Sequence, residues 1–260
     1  MTTLSKKGVG KRLGLLAALV GALVIACTGV VLAQGSAANS GFGGASPATA
    51  SDTDQPSPAA NGSSVTTDVS AAANVKNGNF ETGNFTGWNR VNKEGGSGSW
   101  FVYSTNTSPV SNNPIAVPPQ GNFAATTDQN NPGTQVLIKN IKLESGMRHT
   151  LSFILYYRNF NAGGFFTPNT LNFKAAPNQQ YRIDLIKGNA GPFSVNSNDI
   201  LKPLFRTNVG APNTLSPQVR SYNLTKFAGT TVHLRFAAVE TENFLLASVD
   251  RVRVESTKKN

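Results

Sequence analysis

The sequence predicts an all-β fold, a jelly-roll sandwich of two antiparallel sheets, over roughly its last 185 residues. Three observations predict it. After Val75 the chain breaks into short apolar alternations separated by Gly, Pro and Asn, with no sustained helical period. Where alternation occurs it is sharp: Val232, Leu234 and Phe236 share one face and His233 and Arg235 the other, while Tyr181, Ile183 and Leu185 oppose Arg182 and Asp184. Long Pro- and Gly-rich stretches separate the strands, as they must where the chain crosses between two packed sheets.

Taken from the N terminus, residues 1–33 read as a signal peptide or membrane anchor. Lys6, Lys7, Lys11 and Arg12 precede an uncharged apolar run from Leu13 to Leu32. Three fates are open: cleavage after Ala33, lipidation at Cys27 within Val24-Ile25-Ala26-Cys27, or retention as an anchor of bilayer-spanning length. Under each, the rest of the chain is expected outside, at the cell surface or in the envelope. Residues 34–73 are Gly, Ala, Ser, Thr, Asn and Pro with scattered Asp, and they offer no face to bury. Such a linker holds a domain off a membrane at about 35 Å root-mean-square.

The domain itself is expected over residues 74–256, with a short tail at 257–260. Strands are predicted at 134–141, 148–159, 180–186, 219–224, 231–239 and 245–254. Between them, the loops at 104–122 and 159–180 carry Pro109, Pro114, Pro118 and Pro119, and Gly163, Gly164, Pro168 and Pro177. Cys27 is the single cysteine and lies in the leader, so the domain is expected to hold together by core burial and a bound ion, without a disulfide.

Charge and motif content exclude several functions. The net charge is +10, but four basic residues precede residue 34, which leaves +6 dispersed through strands and loops. Nucleic-acid binding needs such charge gathered on one face, so it is not expected; attraction to anionic wall polymers suits it better. No G-x-S-x-G or H-E-x-x-H is present, and His149 and His233 lack a metal-ligand spacing. Glu240 and Glu242, two residues apart, read as exposed loop charges and not as a glycosidase pair.

The stretch Asn77-Gly78-Asn79-Phe80-Glu81-Thr82-Gly83, followed by Gly87-Trp88, resembles the opening of galactose-binding-like jelly-roll domains, among them bacterial carbohydrate-binding modules. Residues 247–254, Ala-Ser-Val-Asp-Arg-Val-Arg-Val, resemble their final strand. The middle of the chain is similar to an uncharacterised group of exported bacterial proteins of that fold, so the resemblance covers nearly all of residues 74–256. It implies a structural Ca²⁺ held by Glu81, Asp250 and backbone carbonyls. Arg251 stands where the pattern usually has a further acidic or amide residue, which leaves fewer oxygens for the ion. Read by parity, Asp250 shares the inner face of Val252 and Val254; Phe80, Phe85 and Trp88 read as core anchors.

The resemblance implies an extracellular, non-catalytic domain that binds carbohydrate or a cell-wall polymer. The alternative is a structural or adhesive envelope protein that contacts a protein partner. A sugar site needs aromatic faces beside hydrogen-bonding side chains. Candidates are Trp100, Tyr103, Tyr156, Arg158, Phe165, Phe166, Arg182 and Asp184. Tyr156 and Arg158 share a face of one strand, Arg182 and Asp184 the equivalent face of a later one. If those strands adjoin, they line one polar surface with an aromatic floor; core packing is the competing role for each aromatic.

Overall fold

A computed structural model of the chain describes residues 72–73 and 75–259. The leader and nearly all of the linker lie outside the described residues. Eleven strands are present: β1 (Ala72–Ala73), β2 (Asn89–Asn92), β3 (Ser99–Tyr103), β4 (Ala124–Asp128), β5 (Gly133–Lys142), β6 (Met147–Asn159), β7 (Gln180–Lys187), β8 (Ile200–Arg206), β9 (Thr214–Asn223), β10 (Thr231–Glu240) and β11 (Leu245–Lys258). No helix among these residues is long and apolar enough to cross a membrane.

The strands form two antiparallel sheets. One runs β3-β4-β11-β6-β9, with β1 also paired to β11, and the other β2-β5-β10-β7-β8. Position by position, each strand of one sheet corresponds to its neighbour in sequence in the other, which is the wrapped path of a jelly roll. All six predicted strands are present, four with ends within one residue, while β9 begins five residues earlier than the predicted 219 and β11 ends four residues later than the predicted 254; β1, β2, β3, β4 and β8 were not predicted. β11 runs past residue 256 to Lys258, paired with Met147, so the expected tail begins inside the sheet. β1 likewise recruits the end of the expected linker.

The alternation does its work between the sheets. Leu234 and Phe236 of β10, Ile183 and Leu185 of β7, Leu151, Phe153 and Leu155 of β6, and Leu245, Ala247 and Val249 of β11 fill one core. Phe236 sits at its centre, with ring centroids 6.1 Å from Trp88, 6.3 Å from Trp100 and 5.5 Å from Phe153. Burying side chains of this size contributes about 1.5–3 kcal/mol each.

The opposite faces are not wet, contrary to the reading from alternation. Loop 104–122 lies over the first sheet, where Ile115 packs with Tyr103, Ala124, Ile154, Tyr156 and Leu246. Loops 160–179 and 188–199 lie over the second, where Leu171 and Phe173, with Phe193 and Val195 against them, meet Val136, Ile138, Ala237 and Val239. The loops therefore form outer layers, and polar residues on those faces become buried.

A bulge between Asp250 and Arg253 changes the face that β11 presents. Leu245, Ala247 and Val249 point into the core before it, and Val252 and Val254 after it. Asp250 consequently faces outward with Ser248, under loop 104–122, and not inward with Val252 as its parity predicts. Arg251, at φ +50°, absorbs the extra residue.

Candidate functional site

The aromatic candidates are structural. Trp100 is fully buried, its ring 6.4 Å from Tyr181 and 6.3 Å from Phe236, so neither face is open to a sugar. Phe165 is equally buried, edge-on to Tyr157. Tyr103 and Tyr156 bury their hydroxyls against each other at 2.5 Å, and Tyr103 Oη donates to the Ala116 carbonyl at 2.7 Å. Tyr156 is thus the donor to Tyr103, and the pair fastens loop 104–122 to the sheet. Desolvation by burial pushes both phenols above their ordinary value.

The charged candidates are also placed differently from expectation. β6 and β7 belong to different sheets, so Tyr156 and Arg158 lie on one outer face of the sandwich and Arg182 and Asp184 on the other. Arg182 grips Asp184 through two bonds, Nε to Oδ2 at 2.8 Å and Nη2 to Oδ1 at 3.0 Å. Arg235 adds a third at 2.6 Å and donates to the carbonyls of Pro192 and Ser194. This network anchors loop 188–199 and offers no free face. Arg158 is exposed, with its guanidinium 4.9 Å from the Phe160 ring centroid. Phe166 is half-buried in a backbone bridge with Gln179.

Glu81 and Asp250, by contrast, are brought to one loop. Glu81 Oε1 accepts from the N–H groups of Asn122 and Phe123, both at 3.0 Å. Asp250 Oδ2 accepts from Gln120 N–H at 3.2 Å and Oδ1 from Arg251 N–H at 2.6 Å. Gly121, at φ +66°, permits this approach, since a Cβ there would stand 2.3 Å from Glu81 Oε1. Gly78 serves the same junction: its carbonyl accepts from Val252 N–H at 2.7 Å, and a Cβ would lie 1.9 Å from the Val252 oxygen.

Asp250 is completely buried, and its carboxyl is raised from 3.8 to about 7, chiefly by desolvation, with the Glu81 charge adding to it. Neither carboxylate forms a salt bridge among the described residues. Each adjoins a non-glycine residue in left-handed backbone, Phe80 at φ +58° and Arg251 at φ +50°. Two carboxylates brought to one loop, the Glu81 charge acting on Asp250, are of the chemistry that a hard divalent cation takes. No third His, Cys, Asp or Glu joins them among the described residues, so further oxygens would come from backbone and water.

A second site was missed by sequence reasoning. Residues 129–132, after β4, and residues 240–244, between β10 and β11, enclose a pocket of about 230 Å³ at one end of the sandwich. Its wall contains Gln129, Asn130, Asn131, Glu240, Glu242 and Phe244. Glu240 was expected to be an exposed loop charge. Instead it is the last residue of β10, shares the inward parity of Phe236 and Ala238, and is 1% exposed.

Neither Glu240 oxygen has a hydrogen-bond partner among the described residues, and Gln129 Oε1 has none either. The nearby groups are engaged elsewhere. Thr127 Oγ1 donates to the Leu245 carbonyl at 2.8 Å and accepts from Ala247 N–H, and the Gln135 amide donates to the Ser97 carbonyl at 2.6 Å. Burial first, with the charge of Asp128 adding to it and the Gln135 and Thr127 side chains opposing it, drives the Glu240 carboxyl well above the usual range.

The pocket's rim is fixed in place. Gln179 accepts from the N–H groups of Thr241 and Glu242 and donates to the Asn243 carbonyl at 2.8 Å. Phe244 packs edge-on to Phe160 at 6.5 Å and remains partly exposed. The parity of β10 was the one signal that could have placed Glu240 inside.

No family model and no curated protein matches the chain. Among solved structures, it is similar to the carbohydrate-binding module TmCBM61 in complex with β-1,4-galactotriose, at 13% identity and a TM-score of 0.42 over 72% of this chain and 99% of that one. It is similar to the K3 cleaved adhesin domain of Lys-gingipain from Porphyromonas gingivalis, at 15% identity and 0.45 over 71% and 98%. It is also similar to the Stig cyclase Fisc from Fischerella sp. TAU, at 15% and 0.43 over 74% and 100%. A sugar binder, an adhesin and a cyclase stand at one level of likeness, so function has to be read from the side chains.

Proposed function

We propose that this chain is an exported, envelope-tethered, non-catalytic domain that binds carbohydrate in the pocket closed by Gln129, Glu240 and Phe244. The observation that carries this reading is the set of buried side-chain oxygens without partners, Gln129 Oε1 and both oxygens of Glu240, in the wall of a concave site. Buried polar groups are normally hydrogen-bonded, and leaving one unsatisfied costs about 1–3 kcal/mol. A ligand rich in hydroxyl or amine donors would satisfy them. Asn130, Asn131 and Asn243 supply amides at the rim, and Phe244 an aromatic surface.

The described surface favours this over a protein-docking role. Its exposed large apolar side chains are three valines in different segments, Val117, Val209 and Val219, with no exposed large aromatic among them. Glu81 and Asp250 are proposed to hold Ca²⁺, a structural ion that ties the opening motif to β11 across loop 120–123. Export follows from the leader and is tested by fractionating cells that express the full chain.

The test of binding is a panel of polysaccharides and glycans titrated with added calcium and with chelator. Saturable binding that falls about tenfold in Phe244→Ala, a loss of roughly 1.4 kcal/mol, is the expected result. A panel with no binder, on protein that melts cooperatively, would end the carbohydrate reading.

A further inference from the structure

The end pocket is acidic in a chain that is otherwise basic. Beyond the leader the chain carries a net +6, yet no Lys or Arg lines this site. Glu240 stands in the wall with Asp128 near it from β4, and Glu242 from the loop between β10 and β11. Asp128 is already satisfied by the N–H groups of Val110, Ser111 and Gln129. The remaining groups about Glu240 are the Thr127 hydroxyl, which donates to the Leu245 carbonyl, and the Gln135 amide, which donates one N–H to the Ser97 carbonyl; both side chains favour the charged form of Glu240. The buried side-chain atoms of the pocket wall without a partner are all oxygens: Gln129 Oε1 and the two of Glu240.

We propose that the pocket takes a sugar bearing a free primary amine, its ammonium seated between the Glu240 carboxylate and the Gln129 side-chain oxygen. This deepens the carbohydrate reading and rests on it. One ammonium presents three N–H donors at a single atom, which matches three acceptors better than a hydroxyl with its one. Its charge also supplies what a buried carboxylate needs in order to ionise.

The exchange balances without covalent chemistry. The ligand enters as R–NH₃⁺, the Glu240 O–H bond breaks heterolytically, the carboxylate keeps the electron pair, and the proton passes to buffer. A neutral or N-acetylated sugar cannot drive this step, since it brings no charge to replace the proton. Binding of the amine is thus coupled to release of a proton held by Glu240, whereas binding of an acetylated sugar is not.

The test is titration calorimetry of the full chain at about pH 6 with glucosamine oligomers and with their N-acetylated counterparts, each in two buffers of different ionisation heat. The inference expects a buffer-dependent heat for the amine form, in the direction of proton release. It also expects acetylated oligomers to bind at least about tenfold more weakly, with no buffer dependence. Glu240→Gln, which keeps the shape and a neutral side chain, should retain its melting transition, lose the proton release and lose about tenfold in affinity for the amine. Equal or tighter binding of the acetylated form without proton release would overturn the amine inference and leave the carbohydrate reading standing. Amine binding that Glu240→Gln leaves unchanged would overturn it too, as would binding of neither oligomer, which leaves the carbohydrate reading to the glycan panel.

Discussion

At Asp250, folding lifts the carboxyl from 3.8 to about 7, so the folded state holds this proton more tightly than the unfolded one. In chelator, stability should therefore be greatest below about pH 4 and fall as pH rises towards 7, by up to about 4 kcal/mol. Thermal melts across that range test the sign, and Asp250→Asn should melt higher than the parent in chelator at about pH 8. Added calcium should reverse the slope, because the ion favours the ionised form. Melts that neither move with calcium nor depend on Asp250 would remove the proposed ion. Trp100 makes the opposite kind of prediction. Since its ring is enclosed by Tyr181 and Phe236, Trp100→Ala should cost about 3–5 kcal/mol of stability, with glycan affinity of the folded fraction unchanged. A binding defect without destabilisation would contradict its burial.

At the scale of elements, the junction of the opening motif with β11 is the most constrained place in the fold. Gly78→Ala would drive a methyl group to within 1.9 Å of the Val252 carbonyl oxygen, so the chain must shift or separate there. A loss of at least about 2 kcal/mol in denaturant unfolding is expected, together with a weaker melting response to calcium. Wild-type stability in this variant would mean that the bulge is not tied down as described. The long strands β5, β6, β7, β10 and β11 were legible because ten or so residues of alternation outweigh local noise. β2 and β3 are too short to show a period, and β4 is Ala-Ala-Thr-Thr-Asp, with little apolar contrast. β8 contains Pro203, which an edge strand tolerates because one side of its backbone is unpaired. Asp250 was misplaced for a local reason as well: a bulge adds one residue and reverses parity, and nothing in Asp-Arg-Val-Arg announces it.

Over the whole described domain, the loops govern what the sheets expose. Loop 104–122 closes over Tyr103, Tyr156 and Asp250, and loops 160–179 and 188–199 close over Arg182, Asp184 and Arg235. The outward-facing candidates Tyr103 on β3 and Arg182 and Asp184 on β7 were thereby turned into structural contacts. One end of the sandwich, where two short connections meet beside Glu240, stays open. The all-β class, the inward faces of the long strands and Trp88 as a core anchor were determined by the sequence alone, because parity is a local property; the association of Glu81 with Asp250 came from the family resemblance and not from parity. Which outer faces are covered, which side Asp250 takes and the burial of Glu240 were decided by tertiary structure. Those outcomes depend on segments distant in sequence, and the solvation of a side chain is set by whatever the fold lays over it.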